Sequence, residues 1–532
     1  MSSAPLSKPS PAVARSTPAV DRTLDAPAGR VSVAEFTQVE VGPARTAPTA
    51  ADHYDVVIVG AALAGCATAE AFARADGPHR RRILVVDRHR DVHPRFSGEF
   101  IHPRGAQVLD DLGFYDGLSA AGAVDVDGFA VFENADARHV DLPYAGIKGH
   151  RPRGLSVHHK VLVRTMRQRL REHRAGHVEL LEGWSVNDLV RGPRGEIAGV
   201  VLETVGQKRH TVRADLVVGA DGKSSSVRKL AGITDEGRET IGFTAGVELH
   251  DATLPRGSYA HVFLGAWGPV LAYPILRESD GRVSTRITFD LPRVLPAKGE
   301  RMKDHIIRTY LPFMPAPLCS EVAAAIRAVR GPLEIAPTVN LPAPTASMPG
   351  LVLVGDAAGC SHPITASGMT MGLRDAETLG EQAVRRSDAA EGEAWLDHAA
   401  LRRYRAEHDR YVPTRQALAD AIYEAFRGGG PGARSIRRAL FEYWGSGATA
   451  RSRSMALLSG AERRPHVFLT EYLKTAGHAL GTSFSPQHAR RYPLGDRVRR
   501  ATGAAQLARG KLGLVASVMW AQIRPTWMVR SR

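Results

Sequence analysis

The sequence is poor in cysteine and has no long apolar run. Its 532 residues include three cysteines, Cys66, Cys319 and Cys360, far apart in the chain. That excludes a disulfide framework and a cysteine-built zinc site, and it suits a reducing compartment. No stretch approaches the roughly 20 apolar residues of a membrane-crossing helix, and a mean hydropathy of −0.19 excludes a polytopic membrane protein. With 43% hydrophobic and 23% charged residues the composition is globular. The length allows one large or two to three ordinary domains.

Acidic residues are scarce at one end only. From Arg490 to Arg532 ten Lys or Arg face one acid, Asp496, so the tail holds +9 of the net +15. The excess is a tail property and not that of a basic domain. The apolar content of the tail favours an anionic membrane surface over nucleic acid as its partner. Leu512–Ile523 is an apolar run of 12 residues bracketed by Lys511 and Arg524, with Trp520 and Trp527 nearby. As a helix it reaches about 18 Å, short of a roughly 30 Å hydrocarbon core, so it suits an interfacial anchor. The placement expected is intracellular, peripheral on the cytoplasmic face of a membrane. The remainder of the tail, residues 486–532, is read as basic and membrane-associated.

Residues 1–52 are rich in Ala, Pro, Ser and Thr and read as a solvated, disordered tail. They lack the apolar core of a secretory signal. Order begins at Tyr54. Asp55–Val59 is a β-branched apolar run suited to a strand buried on both faces of a parallel sheet. A small-residue helix follows over 65–75, then a second buried strand, Ile83–Val86. That is a βαβ unit. An amphipathic helix is predicted over 158–172, an antiparallel sheet over 242–290 and mostly helix over 395–480.

Three turns carry the chemistry. Gly60-Ala-Ala-Leu-Ala-Gly65 follows the first strand, and Asp87 ends the second. A tight turn brings a helix N-terminus against a pyrophosphate, and an acid about 20 residues on accepts from a ribose. Ala62 replaces the middle glycine and holds the phosphate slightly further off. Ala214–Gly222 ends in Asp221, and Gly350–Ala358 contains Gly355-Asp356. Each places an aspartate just after a buried strand, where open α/β sheets bind ligands. Either alone also reads as a capped turn.

These turns, in this order, resemble those of single-chain FAD monooxygenases of the hydroxybenzoate hydroxylase fold. Arg95-Phe-Ser-Gly-Glu-Phe-Ile-His-Pro-Arg-Gly105, Val108–Gly113, Leu142-Pro-Tyr144, Gly268-Pro-Val270, the stretch from Gly355-Asp-Ala through His362-Pro to Gly368-Met-Thr370, and Leu418–Gly460 narrow the likeness. Over about residues 54 to 480 the chain resembles the squalene monooxygenases (squalene epoxidases). The implied fold is α/β. It has a Rossmann-like FAD domain over 53–240 with an inserted piece of the substrate domain, a substrate sheet over 241–345, the last part of the FAD domain over 346–394, and helices over 395–485.

The resemblance also implies roles. Gly60, Leu63, Ala64 and Gly65 would meet FAD in the turn, Asp87 and Arg88 its adenosine. Arg95 and Phe100 would flank the cofactor, and Arg167 would offer its guanidinium to the pyrophosphate or ribityl chain. Ser185 would meet the adenine, Asp221 the cofactor, Asp356 the ribityl chain and Met369 the isoalloxazine. Tyr144 matches the family's active-site tyrosine. Its glutamine partner is His102 here, and an imidazole still hydrogen-bonds a phenol. The family's Thr-Gly-Gly-Gly is Thr365-Ala-Ser-Gly368 here, and the added side chains would crowd the flavin.

Implied partners are O2, an isoprenoid or lipid substrate and, without a second nucleotide fingerprint, NAD(P)H acting through a separate flavoprotein reductase. The expected reaction is alkene epoxidation by a flavin C4a-hydroperoxide in an apolar chamber. Phe263, Trp267, Tyr273, Phe289, Tyr310, Phe313 and Met314 are candidate walls. His158-His159 reads as structural, since neighbours on a helix diverge, and no metal is expected. Two other readings stay open at this point: a flavin reductase or oxygenase of another isoprenoid, as in geranylgeranyl reductases, and a silent lipid-binding protein on the same fold.

Overall fold

The computed structural model describes residues 53–75, 81–92, 98–133, 135, 139–204, 208–387, 395–427, 431–462, 464–483, 493–498, 501, 502 and 505. Arg95, the N-terminal tail and the run 512–523 lie outside the described residues.

The β-branched run forms strand His53–Val59, with Val57 and Ile58 fully buried. It pairs in parallel with Ile83–Asp87 on one side and Arg209–Gly219 on the other. Val178–Glu182 extends the sheet beyond Ile83–Asp87, and Leu351–Leu353 extends it beyond Arg209–Gly219, both in parallel. Such double burial is why these strands carry few polar residues. Register decides the geometry of the site. Val59 is level with Val86 and Gly219, and Gly219 with Leu353. Gly60, Asp87, Ala220 and Val354 therefore stand in one row at the carboxyl edge, where doubly wound sheets hold ligands.

Helix Leu63–Ala75 packs on helix Gly368–Val384 through small residues. A Cβ on Gly380 would come within 3.0 Å of Ala71 Cβ, and one on Gly372 within 3.3 Å of Ala64 Cβ. This close approach brings the Asp356 loop over the first turn.

Among the described residues a second sheet has seven strands, in the order Ile335–Asn340, Glu239–His250, Val283–Leu291, Val270–Arg277, Ala260–Phe263, Gly128–Phe132, His139–Pro143. The last two come from the predicted insertion. One face packs on helices Arg301–Thr309 and Ala316–Ala328. The other faces Phe441, Trp444 and Met455 of the C-terminal helices. Strand alternation sorts the predicted chamber walls between these faces. Phe263, Phe289, Tyr310 and Met314 fall in the first core, and Trp267 is 51% exposed. Of the seven, Tyr273 belongs to the core on the other face. The aromatic-wall expectation is corrected accordingly: the pleat turns Phe263 and Phe289 away from the chamber described below, and Tyr310 and Met314 lie between the helices packed on that far face.

Candidate active site

The turn after the first strand is fixed by two glycines and by side chains that reach it from Asp87 and Arg167. Gly60 has φ of +108°, and a Cβ there would sit 2.4 Å from the Ala220 carbonyl oxygen. At Gly65 a Cβ would fall 1.8 Å from Gly60 O. Both glycines are steric requirements of the turn.

Asp87 Oδ2 accepts from Ala61 N at 2.9 Å, and Oδ1 from His89 N at 2.8 Å. Arg167 Nη2 lies 3.0 Å from Asp87 Oδ2. A carboxylate has about four lone-pair sites, so one remains for a ribose hydroxyl. Arg167 itself is buried, donating to Ala61 O at 2.8 Å and Glu182 Oε1 at 2.7 Å. Its guanidinium, expected to reach the pyrophosphate or ribityl chain, is turned onto protein because two carboxylates sit beside it. Asp221 is likewise redirected. It accepts from Ser225 Oγ at 2.5 Å, Ser226 N at 2.6 Å and Val227 N at 3.1 Å, which caps helix Ser226–Leu230.

Arg88 is exposed, and Ser185 lies two residues past Gly183, whose N–H is bonded to Asp87 O at 2.8 Å. Both stand at the Asp87 end of the row. At the other end, a Cβ on Gly368 would lie 3.6 Å from Asp356 Oδ1, and one on Gly98 3.9 Å from Met369 Sδ. The Gly355 N–H donates to Asp375 Oδ2 at 2.7 Å, and Tyr411 donates to the other carboxylate oxygen. Asp375, which sequence reasoning missed, thus sets the Asp356 loop.

The row suits a dinucleotide. The helix at Leu63 directs its first N–H groups, which lack intrahelical partners, toward the edge, with an acid at each end. Cys66 is not reactive: burial pushes its thiol up to about 12, and Sγ donates to Ala61 O.

Tyr144 and His102 form a buried pair. Tyr144 Oη lies 2.6 Å from His102 Nδ1, and His102 Nε2 lies 2.7 Å from Thr365 O. A carbonyl only accepts, so Nε2 carries the imidazole proton and Nδ1 accepts from the phenol. Burial pushes His102 down to about 4 and Tyr144 well above its usual value, so both are neutral. Thr365 precedes Ala366, which sits in the left-handed region at φ 50°. Phe100 and Phe129 pack on the pair, with Phe100 and His102 ring centroids 5.6 Å apart, and Tyr273 packs on Phe100. His158 accepts from Lys160 N as the N-cap of helix His159–His173, and His159 Nδ1 lies 3.2 Å from Gly98 O. The pair is structural, and no metal-holding cluster occurs among the described residues.

An apolar chamber adjoins the Tyr144–His102 pair. Phe129, Val131, Leu142 and Val262 of the second sheet, Ile364 beside Thr365, and Ile422, Phe426, Trp444 and Met455 of the helices line it. No short-range pattern marks these helices as a wall. Their signal is a run of apolar helical residues, which reads equally as ordinary core. The Asp356 loop is tied to them by His362, whose Nε2 lies 3.1 Å from Asp290 Oδ1 and whose ring stacks on Tyr423 at 3.8 Å.

The pH dependence of His102 follows from its burial. In the unfolded chain it takes a proton near pH 6.5, in the folded protein near 4. The unfolded state therefore binds more protons in that window, and stability falls as pH drops from about 6.5 to about 4. His102→Gln is expected to remove about 2 kcal/mol of the loss between pH 7 and pH 4.5, measured as urea unfolding at those two pH values. Equal acid loss in both proteins would show that His102 is not a source of it.

Residues 53–293 match an FAD binding domain, and residues 213–495 match the family model for squalene epoxidase. The chain is 30% identical to squalene epoxidase 3 of Arabidopsis thaliana, across 81% of this chain and 79% of that protein. It is 28% identical to a squalene epoxidase of Aspergillus fumigatus, across 80% and 85%. In fold it is similar to p-nitrophenol 4-monooxygenase of Pseudomonas putida, with a TM-score of 0.62 at 18% identity, covering 77% of this chain and 99% of that one. The cofactor is FAD, and the chain belongs to the squalene epoxidase family of FAD-dependent monooxygenases.

Proposed function

We propose that the protein epoxidises an alkene of squalene or a like isoprenoid with O2. The apolar chamber beside Tyr144, His102 and the Asp356 loop is the observation that carries this reading. Bound FAD supplies the activated oxygen. The chain's own part is to bind, orient and exclude water. In this reading the first helix turn, Leu63–Gly65, meets the pyrophosphate, Asp87 the ribose and Asp356 the ribityl chain. Arg167 holds Asp87 in place, and Met369 flanks the isoalloxazine. Tyr144 and His102 supply a fixed neutral contact. Neither releases a proton near pH 7, which suits an oxygen transfer that needs no strong acid or base.

Incubation with squalene, O2, NAD(P)H and a generic flavoprotein reductase is expected to give the epoxide by mass spectrometry. Absence of product from flavin-loaded protein sinks the reading. Tyr144→Phe keeps the ring but leaves His102 Nδ1 without its donor. It should retain flavin and lose more than tenfold in turnover.

Electrons are proposed to arrive through a separate reductase, as the single dinucleotide turn suggests. No helix among the described residues is long and apolar enough to cross a membrane. We further propose peripheral attachment through the basic tail, whose Leu512–Ile523 run suits one leaflet. A chain ending near Ser485 should keep its flavin yet stop co-sedimenting with anionic vesicles at low salt. Unchanged co-sedimentation would rule the tail out as the anchor.

A further inference from the structure

One short turn carries a histidine contact at each end. His362 caps the turn Pro363–Thr365, its Nδ1 accepting from Ile364 N at 3.1 Å. At the far end the Thr365 carbonyl accepts from His102 Nε2 at 2.7 Å, and His102 Nδ1 accepts from Tyr144 Oη at 2.6 Å. Ala366 closes the turn, donating from its N–H to Pro363 O at 2.8 Å. The position of the Thr365 carbonyl, and through it of His102 and Tyr144, therefore depends on how this turn is capped.

Because His362 Nδ1 accepts, Nε2 carries the ring proton. It donates to Asp290 Oδ1 at 3.1 Å. Asp290 stands on the strand Val283–Leu291, and its backbone is held on both sides. Its N–H donates to Pro269 O at 3.2 Å, and its carbonyl accepts from Tyr310 Oη at 2.8 Å. The carboxylate is 4% exposed, and its second oxygen, Oδ2, has no hydrogen-bond partner among the described residues. A buried polar atom without a partner costs stability. An apolar side chain would avoid that cost, so folding alone does not account for an aspartate here. What the carboxylate provides is an acceptor that fixes the His362 tautomer, since the bond made by one ring nitrogen sets the state of the other. Only with Nδ1 free of a proton does the ring cap the turn.

We propose that Asp290 is a positioning residue for oxygen transfer: acting through His362, it sets the Pro363–Thr365 turn and hence the carbonyl that orients His102 and Tyr144. The proposal rests on the reading of Tyr144 and His102 as the pair that supports the reaction.

The test uses the full-length, flavin-loaded protein. Asp290→Leu fills the space without accepting a hydrogen bond. It is expected to lower kcat for squalene epoxidation at least tenfold and to change KM less than threefold. In a Tyr144→Phe background the same substitution should cost less than twofold, because the contact it orients is already gone. A merely structural loss lowers kcat equally in both backgrounds, and that result overturns the proposal. Asp290→Asn, whose amide oxygen still accepts from Nε2, should keep kcat within threefold of the wild type, and a tenfold loss there overturns it too. Where Asp290→Leu does not fold, His362→Asn takes its place. Asparagine still caps the turn but is too short to reach Asp290, so the same tenfold loss is expected, and a loss below threefold overturns the proposal. A readout independent of turnover is the imidazole N–H resonance of His102 in protein labelled with 15N-histidine, assigned through His102→Gln. Either substitution that breaks the Asp290–His362 contact should make this proton exchange with solvent at least tenfold faster, and an unchanged rate overturns the proposal. If the wild type gives no epoxide while the exchange responds, the epoxidase reading falls and the Asp290 link stands. Epoxide formation with an unchanged exchange rate defeats the link alone.

Discussion

Gly65→Ala is expected to yield a chain that retains less than a tenth of the wild-type flavin. The added Cβ would lie 1.8 Å from the Gly60 carbonyl oxygen, which belongs to the backbone and has no rotamer to escape into. Contacts below 3.0 Å do not occur for real Cβ atoms, so the turn must move by more than 1 Å. That displaces the helix N-terminus from the row formed with Asp87 and Val354. Electrostatic binding at a helix end falls off within one turn, and a tenfold loss corresponds to only about 1.4 kcal/mol. Gly445→Ala is the control, since nothing lies within 4 Å of its Cβ position. Flavin occupancy, read as absorbance per chain after gel filtration, should be unchanged there. Full occupancy in Gly65→Ala would mean that this turn does not hold the pyrophosphate.

Arg286→Met is expected to cost about 3–5 kcal/mol of folding stability. Arg286 donates to both oxygens of Glu99, at 2.9 and 2.8 Å, and the Glu99 side chain is fully buried. Methionine fills the space but leaves a carboxylate in the interior without its countercharge. The Tyr273 hydroxyl, 3.4 Å from Glu99, is too weak a partner to compensate. The pair joins the segment after Gly98 to the strand Val283–Leu291, so its loss should loosen the substrate sheet on the FAD domain. Adding Glu99→Gln should recover part of the loss by removing the charge. Denaturant unfolding of the two variants checks both points, and a single-variant loss below 1 kcal/mol would show the pair to be dispensable.

Much of the cofactor site was legible because local backbone geometry dictates it. Gly60, Gly65 and Asp87 announce themselves through a turn that tolerates no Cβ and a strand that ends in an acid. The Asp356 loop was legible for the same reason. Contacts spanning more than 100 residues were not. Glu99 and Arg286 are 187 residues apart, and no spacing rule links them. Asp221 directly follows the row and Arg167 reaches it from helix His159–His173, but their side chains satisfy Ser226 N and Glu182, partners that sequence pattern cannot rank against a cofactor. The predicted rings at Phe263 and Phe289 failed differently: composition marks an aromatic as buried but not on which face of a sheet it is buried.

By itself the sequence determined the βαβ start, the three turns on buried strands, the helical C-terminal region and the family likeness. Each rests on interactions within a few residues or on an ordered series of motifs. The tertiary structure decided which strand ends share a row, which carboxylates face protein, and where the chamber lies. It also set Asp290 against His362 at the start of the Pro363–Thr365 turn. Those outcomes depend on sheet register and on the packing of helices against one face, and such long-range geometry leaves no periodic trace in the chain.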